Sequence, residues 1–213
     1  MTPSQKVQEL WLNEVYQLKS RGKSLKLIIL GEAPLSPSQY FYVKNGNYLS
    51  ALKKIYMRKC GLEIFPVLNY HLYMDGILLM ELYKDPLPSS NYDKDINFSY
   101  WDAEYFCSQL AILKSAGLLN EDTKIVFRYK KSCQNYSAPR GKNVESFINS
   151  ELLPLFKRYG LFPSNFITEV VGSKSRFATL SNGNYGNGLN ECSEVYNYLY
   201  SIAGCWHNFV LAP

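Results

Sequence analysis

The sequence predicts a single three-layer α/β/α domain, residues 1–213, around a central, mainly parallel four-stranded sheet. Three observations carry that expectation. First, the apolar runs LKLIIL (25–30), ILLMEL (77–82) and KIVFRY (124–129) are too short for helices. They also lack the alternation of a half-exposed strand, as suits strands covered on both faces. Second, the segments between them place apolar residues at helical spacing. Third, helix and strand alternate along the chain, the pattern of parallel strands joined by helical crossovers. With 213 residues, 46% of them hydrophobic and 19% charged, the chain can build one substantial core.

The elements follow in order. Thr2, Pro3 and Gln5 read as N-cap, first helical residue and capping-box partner of an opening helix. Val7, Leu10, Trp11 and Leu18 share one face of it, and Gly22 ends it. The strand at 25–30 leads into the turn-rich stretch GEAPLSPSQYFY. A second helix is expected over 49–60, with Leu52, Ile55 and Tyr56 inward and Gly61 as its stop. An aromatic connection, IFPVLNYHLY, precedes the strand at 77–82. Asp102 caps the next helix, whose inner stripe is Phe106, Leu110 and Leu113 and whose end is Gly117. After the strand at 124–129, a helix over 144–159 is expected to bend near Pro154. A fourth strand at 166–171, a short extension or edge at 176–180 and a last helix over 191–203 complete the chain. Right-handed crossovers would gather the loops 31–42, 83–100, 130–142 and 181–190 at one end of the sheet, where ligands of such folds bind.

Composition narrows the function classes. No apolar run approaches the ~18 residues of a membrane span. The N-terminus MTPSQKVQELW lacks the basic-then-apolar order of a signal peptide, so a cytoplasmic protein without a membrane partner is expected. Five cysteines form no CxxC pair, and most read as small buried hydrophobes; with only His71 and His207 besides, no metal is expected. Cys133 and His207 find no partner in sequence that would make them catalytic, and no P-loop, GxSxG or dinucleotide fingerprint is present. No cofactor is expected. A formal net charge of +5 permits a polyanionic partner.

The segment after the first strand is the most informative. Gly31 lets the chain leave the strand sharply, Pro34 and Pro37 fix its path, and Tyr40, Phe41 and Tyr42 offer faces for stacking. The same composition suits a rigid turn whose aromatics plug the core. A strand ending in GEAP and followed by YFY resembles the first motif of the uracil-DNA glycosylase superfamily, closest to its GEAP/GESP-type branches. That resemblance implies a three-layer fold on a four-stranded parallel sheet, in agreement with the pattern above. It continues at DGILLMELYKDPLP, similar to the second strand and its proline-containing loop, and at TLSNGNYGNGL before the last helix. Two positions depart from the family. Ala33 stands where members with a water-activating acid carry it, and Ser181-Asn182-Gly183-Asn184 replaces His-Pro-Ser.

The activity implied by the resemblance is hydrolysis of the N-glycosidic bond of a damaged or deaminated base such as uracil in DNA. A catalytically silent nucleobase- or nucleic-acid-binding module on the same fold is the alternative. The chemistry requires an extruded nucleotide and stabilisation of both a sugar cation and an anionic leaving base. Glu81 and Glu32 are the candidate catalytic carboxylates at strand ends. Glu81 falls where the family places a residue that reads the base edge, and as a carboxylate it would accept hydrogen bonds from amino or imino groups. It reads equally as a buried acid paired with Lys84. Gly31, Ala33, Pro34, Tyr40, Phe41, Asn182, Gly183 and Asn184 are the candidate base-binding residues, although SNGNYGNG also reads as a plain turn. Lys130, Lys131, Arg140 and Lys142 lie in an acid-free stretch on the expected ligand side and are candidate phosphate contacts. DNA is the expected partner and a monomer the expected state.

Overall fold

The computed structural model describes residues 2–33, 50–61, 68–85, 101–129, 144–171, 174–181 and 194–205. Helix α1 (Pro3–Ser20) starts as its sequence dictates. Thr2 caps it, Gln5 closes the capping box, and Val7, Trp11, Val15 and Leu18 are buried on its inner face. Strand β1 (Leu27–Gly31) follows, buried at every residue. Helix α2 (Ser50–Cys60) presents Leu52, Ile55 and Tyr56 to the core.

The expected aromatic connection is instead partly helical: α3 (Leu68–Asp75) lies within it. LNYHLYMD has no single apolar stripe, so helical periodicity is invisible there, and tertiary packing decides the conformation. Gly76 ends α3 with φ 70° and starts β2 (Ile77–Glu81), again buried throughout. Asp102 caps α4 (Ala103–Ser115) by accepting from the Tyr105 amide at 2.9 Å. Strand β3 spans Lys124–Tyr129.

The helix that follows is broken as Pro154 requires. It runs as α5 (Val144–Phe147), a π-turn (Ile148–Leu152) and α6 (Leu153–Arg158). Proline has no N–H to donate to the preceding turn, and the wider π-turn absorbs the break.

The fourth position of the sheet differs from the continuous strand expected at 166–171. Phe166 bridges Ile125 in parallel, and the Ile167 amide donates to Ile125 O at 2.9 Å. The chain then leaves as an antiparallel hairpin, β4 (Thr168–Val171) and β5 (Lys174–Phe177), and returns as β6 (Thr179–Ser181) beside Phe127 and Tyr129. The seam closes where the amide of buried Ala178 donates to Ile167 O at 2.9 Å. An apolar run cannot report that a hairpin is extruded from its middle. Helix α7 (Glu194–Ile202) is the last described element of regular structure.

The main sheet has the order β2-β1-β3-β6, all parallel. The chain steps from β1 to β2 in one direction and then back across β1 to β3 and β6. Right-handed crossovers therefore put α2 and α3 on one face and α4 to α6 on the other. Packing agrees. Phe106 of α4 meets Phe156 of α6 edge-on at 5.5 Å, and the Tyr159 hydroxyl donates to Cys107 O at 3.1 Å. On the opposite face α1 packs on α3 and α2 on α7.

At the N-terminal end of the strands, α2 and α7 are joined covalently. Cys60 and Cys205 form a disulfide with their Cα atoms 5.3 Å apart, which takes these two out of the expectation that most of the cysteines are small buried hydrophobes. Beside it, buried Asp75 accepts from the Tyr56 hydroxyl at 2.6 Å and from the Gly204 amide at 2.9 Å. Sequence could not pair the two cysteines, because 145 residues separate them and only the sheet topology brings the helix ends together. No described helix is long and apolar enough to cross a membrane.

Candidate site at the C-terminal edge of the sheet

Parallel strands end at one edge, and here the ends of β1, β2 and β3 carry the polar groups. The register pairs Gly31 with Glu81, and Arg128 follows Phe127, the partner of Leu30. Glu81, Gly31 and Arg128 thus form one row across three adjacent strands, pointing to the same face. Phe127 stacks on Phe166, which meets Phe156 of α6. Alternation therefore turns the Glu81 row toward the layer of α2, α3 and α7.

Gly31 supplies the space. Its missing side chain lets the Glu81 carboxyl lie over the β1 backbone. A methyl group there would overlap Glu81 Oε2 and would stand 2.7 Å from Cδ and 2.9 Å from Oε1. Gly31→Ala is accordingly expected to lower stability by about 1–3 kcal/mol, as overpacking does, or to push Glu81 out of its place. Thermal melts, together with the Glu81 side-chain resonance, check this. An unchanged melt and an unchanged resonance would show that the two residues do not touch.

Glu81 is 5% exposed, and its Oε2 has no hydrogen-bond partner among the described residues. Burial pushes its carboxyl up to about 8; the Arg128 charge works against this rise and the Glu32 charge adds to it. Burial thus favours the neutral carboxylic acid over the hydrogen-bond-accepting carboxylate that its residue type suggests. The cation acting on it is Arg128 rather than Lys84. In the neutral form it offers one O–H donor and one acceptor side by side.

Beyond Glu81, the chain keeps pairing with the end of β1. The Leu82 amide donates to Gly31 O at 3.1 Å and the Tyr83 amide to Glu32 O at 3.0 Å. The Tyr83 ring is fully buried, and its hydroxyl has no partner among the described residues. Burial, then the Glu32 charge, holds that phenol well above the usual range. From α4, the Tyr105 hydroxyl accepts from Gln109 Nε2 at 3.0 Å. It is pushed up to about 12 by burial and then by the charges of Glu81, Asp85 and Asp102.

Of the candidate residues, the structure brings together Gly31, Glu32 and Glu81 at this edge. Ala33, half-buried, packs against the core beside them. Pro34, Tyr40, Phe41, Asn182, Gly183, Asn184, Lys130, Lys131, Arg140 and Lys142 lie outside the described residues, as do Cys133 and His207. His71 is buried in α3, where its ring meets Tyr56 edge-on at 5.6 Å. Sequence reasoning missed Arg128 and Tyr83. Arg128 carries a usable signal, a charge that directly follows the apolar run Ile125–Phe127 of β3. Among the described residues no group of three His, Cys, Asp or Glu could hold a metal ion.

The geometry defines a parallel α/β protein with a partly unsatisfied polar site at the carboxyl ends of its central strands. The chain matches no family model, no curated protein and no solved structure.

Proposed function

We propose that the protein recognises an extruded nucleobase as a uracil-DNA glycosylase-like enzyme and hydrolyses the N-glycosidic bond of a deaminated base in DNA. The observation that carries this reading is the buried Glu81 carboxyl over Gly31, held toward its neutral form by burial, with an oxygen that has no hydrogen-bond partner among the described residues. A neutral carboxyl pairs with a lactam, whose carbonyl accepts and whose adjacent N–H donates; uracil and hypoxanthine carry that edge. Its position at the end of β2 is the one the resemblance gives to a base-reading residue. Glu32, half-buried at the end of β1, is the acid left to stabilise the sugar cation and orient water. Lys130, Lys131, Arg140 and Lys142 would contact phosphates, so binding should weaken with salt. The same reading takes the protein as a cytoplasmic monomer, in which case the Cys60–Cys205 bond depends on oxidising conditions.

The second reading, a silent base-binding module, is favoured by one observation: Ala33 cannot activate water. A single-turnover assay separates the two. Excess protein is incubated with labelled single-stranded, U·A, U·G and hypoxanthine-containing DNA, and abasic sites are revealed with alkali. Cleavage that is lost in Glu32→Gln and in Glu81→Met but retained in Glu81→Gln is the expected result. Salt-sensitive binding without cleavage would establish the silent module. Neither binding nor cleavage would remove DNA from the account.

A further inference from the structure

Arg128 is a nearly buried cation at the end of a central strand, 7% exposed, one residue beyond the Phe127–Leu30 pair and so beside Gly31. Glu81 occupies the other side of the same glycine. With no side chain on Gly31, nothing of β1 stands between the two except backbone, and the Glu81 carboxyl already leans across it. A guanidinium and a carboxyl buried in one row act on each other strongly, because little water stands between them to screen the charge. The glutamate retains an oxygen without a hydrogen-bond partner among the described residues, so it is not saturated by its surroundings.

We propose that Arg128 is a positioning residue for Glu81: lying in the same row across the gap left by Gly31, its guanidinium bears on the Glu81 carboxyl and thereby decides which base edge the site accepts. This rests on the base-reading role of Glu81. With the proton on, Glu81 donates and accepts and fits a lactam such as the N3–H/C4=O edge of uracil. With the proton off, it only accepts and fits an edge with two donors, such as an amino group beside a protonated ring nitrogen. The other charge acting on Glu81 among the described residues is Glu32 from β1, which favours the neutral form, and the Glu81 charge in turn reaches the Tyr105 hydroxyl of α4. Among the described residues, Arg128 is the charge that favours the ionised form. It moves the switch toward neutral pH, where a small change in conditions alters recognition.

The test uses the full chain with selectively labelled glutamate. The Glu81 carboxyl carbon is titrated by NMR in the wild type, in Arg128→Met and Arg128→Gln, and in the charge-retaining Arg128→Lys. Affinity for 1-methyluracil is measured from pH 6 to 8.5. In the wild type that affinity should fall about fourfold between pH 7 and 8.5 as the proton leaves. In the two neutral variants the midpoint should rise by a pH unit or more and the fall should shrink below twofold, while Arg128→Lys restores the wild-type midpoint. The two neutral variants also guard against one of them failing to fold. An unmoved midpoint overturns the inference even if the base binds. A midpoint that moves while 1-methyluracil never binds sinks the base-reading role itself, and with it the part of the inference concerning edges.

Discussion

Reducing the Cys60–Cys205 bond should lower the melting temperature by about 10 °C. The bond closes a loop of 145 residues in the unfolded chain. By chain entropy a loop of that length restricts the unfolded state by about 5 kcal/mol. For a chain of this size each kcal/mol moves the melting temperature by roughly 2–4 °C. The fold should nonetheless persist when reduced, because Asp75 still ties Tyr56 of α2 to the Gly204 amide after α7. Lys59 likewise still donates to the Tyr200 and Ser201 carbonyls at the end of α7. Thermal melts with and without reductant, and of Cys60→Ser, provide the measurement. Alkylation of the denatured, unreduced chain should spare Cys60 and Cys205; modification of both, with identical melts, would show that the bond does not form. The clasp lies at the N-terminal end of the strands, away from Glu81. Base recognition should therefore survive reduction at temperatures where the fold holds.

The second large effect is a separation of stability from recognition at Glu81. Its carboxyl is raised from 4.5 to about 8 in the folded protein. Between those values the folded state keeps a proton that the unfolded state has released. Stability is therefore complete below pH ~4.5 and falls as pH rises toward 8, by an amount on the order of 3–5 kcal/mol. Glu81→Gln keeps a donor and an acceptor but cannot ionise. It should raise the melting temperature at pH 8 by about 10 °C, leave it unchanged near pH 4.5, and keep lactam binding at every pH. Glu81→Met should be stabilising too, yet lose binding. Glu14 of α1 supplies the control. It is also buried and also raised to about 8, chiefly by burial, so Glu14→Gln should flatten the pH dependence of stability without touching recognition. If Glu81→Gln were no more stable than wild type at pH 8, Glu81 would be ionised in the fold, and the lactam reading would fail with it.

The sequence by itself determined the local features. Thr2 with Gln5, Asp102, and the glycines at 22, 61 and 117 end or begin helices through contacts within a few residues, so their effect is written in the neighbouring letters. The three central strands were equally legible, because strands covered on both faces read as near-continuous apolar runs. From alternation and handedness the sequence also placed Gly31 and Glu81 at one edge of the sheet, while the structure shows that their strands are neighbours. Only the tertiary structure decided what depends on distant partners. Helix α3 forms where no stripe announces it, and the fourth sheet position is filled in two pieces around a hairpin. Cys60 finds Cys205 across the whole chain. Above all, the protonation of Glu81 depends on near-complete loss of water, and then on Arg128, 47 residues further on, and on Glu32. The physical reason is the same throughout: caps and strand patterns are short-range in the chain, whereas desolvation and electrostatics are short-range in space, and only the fold converts one into the other.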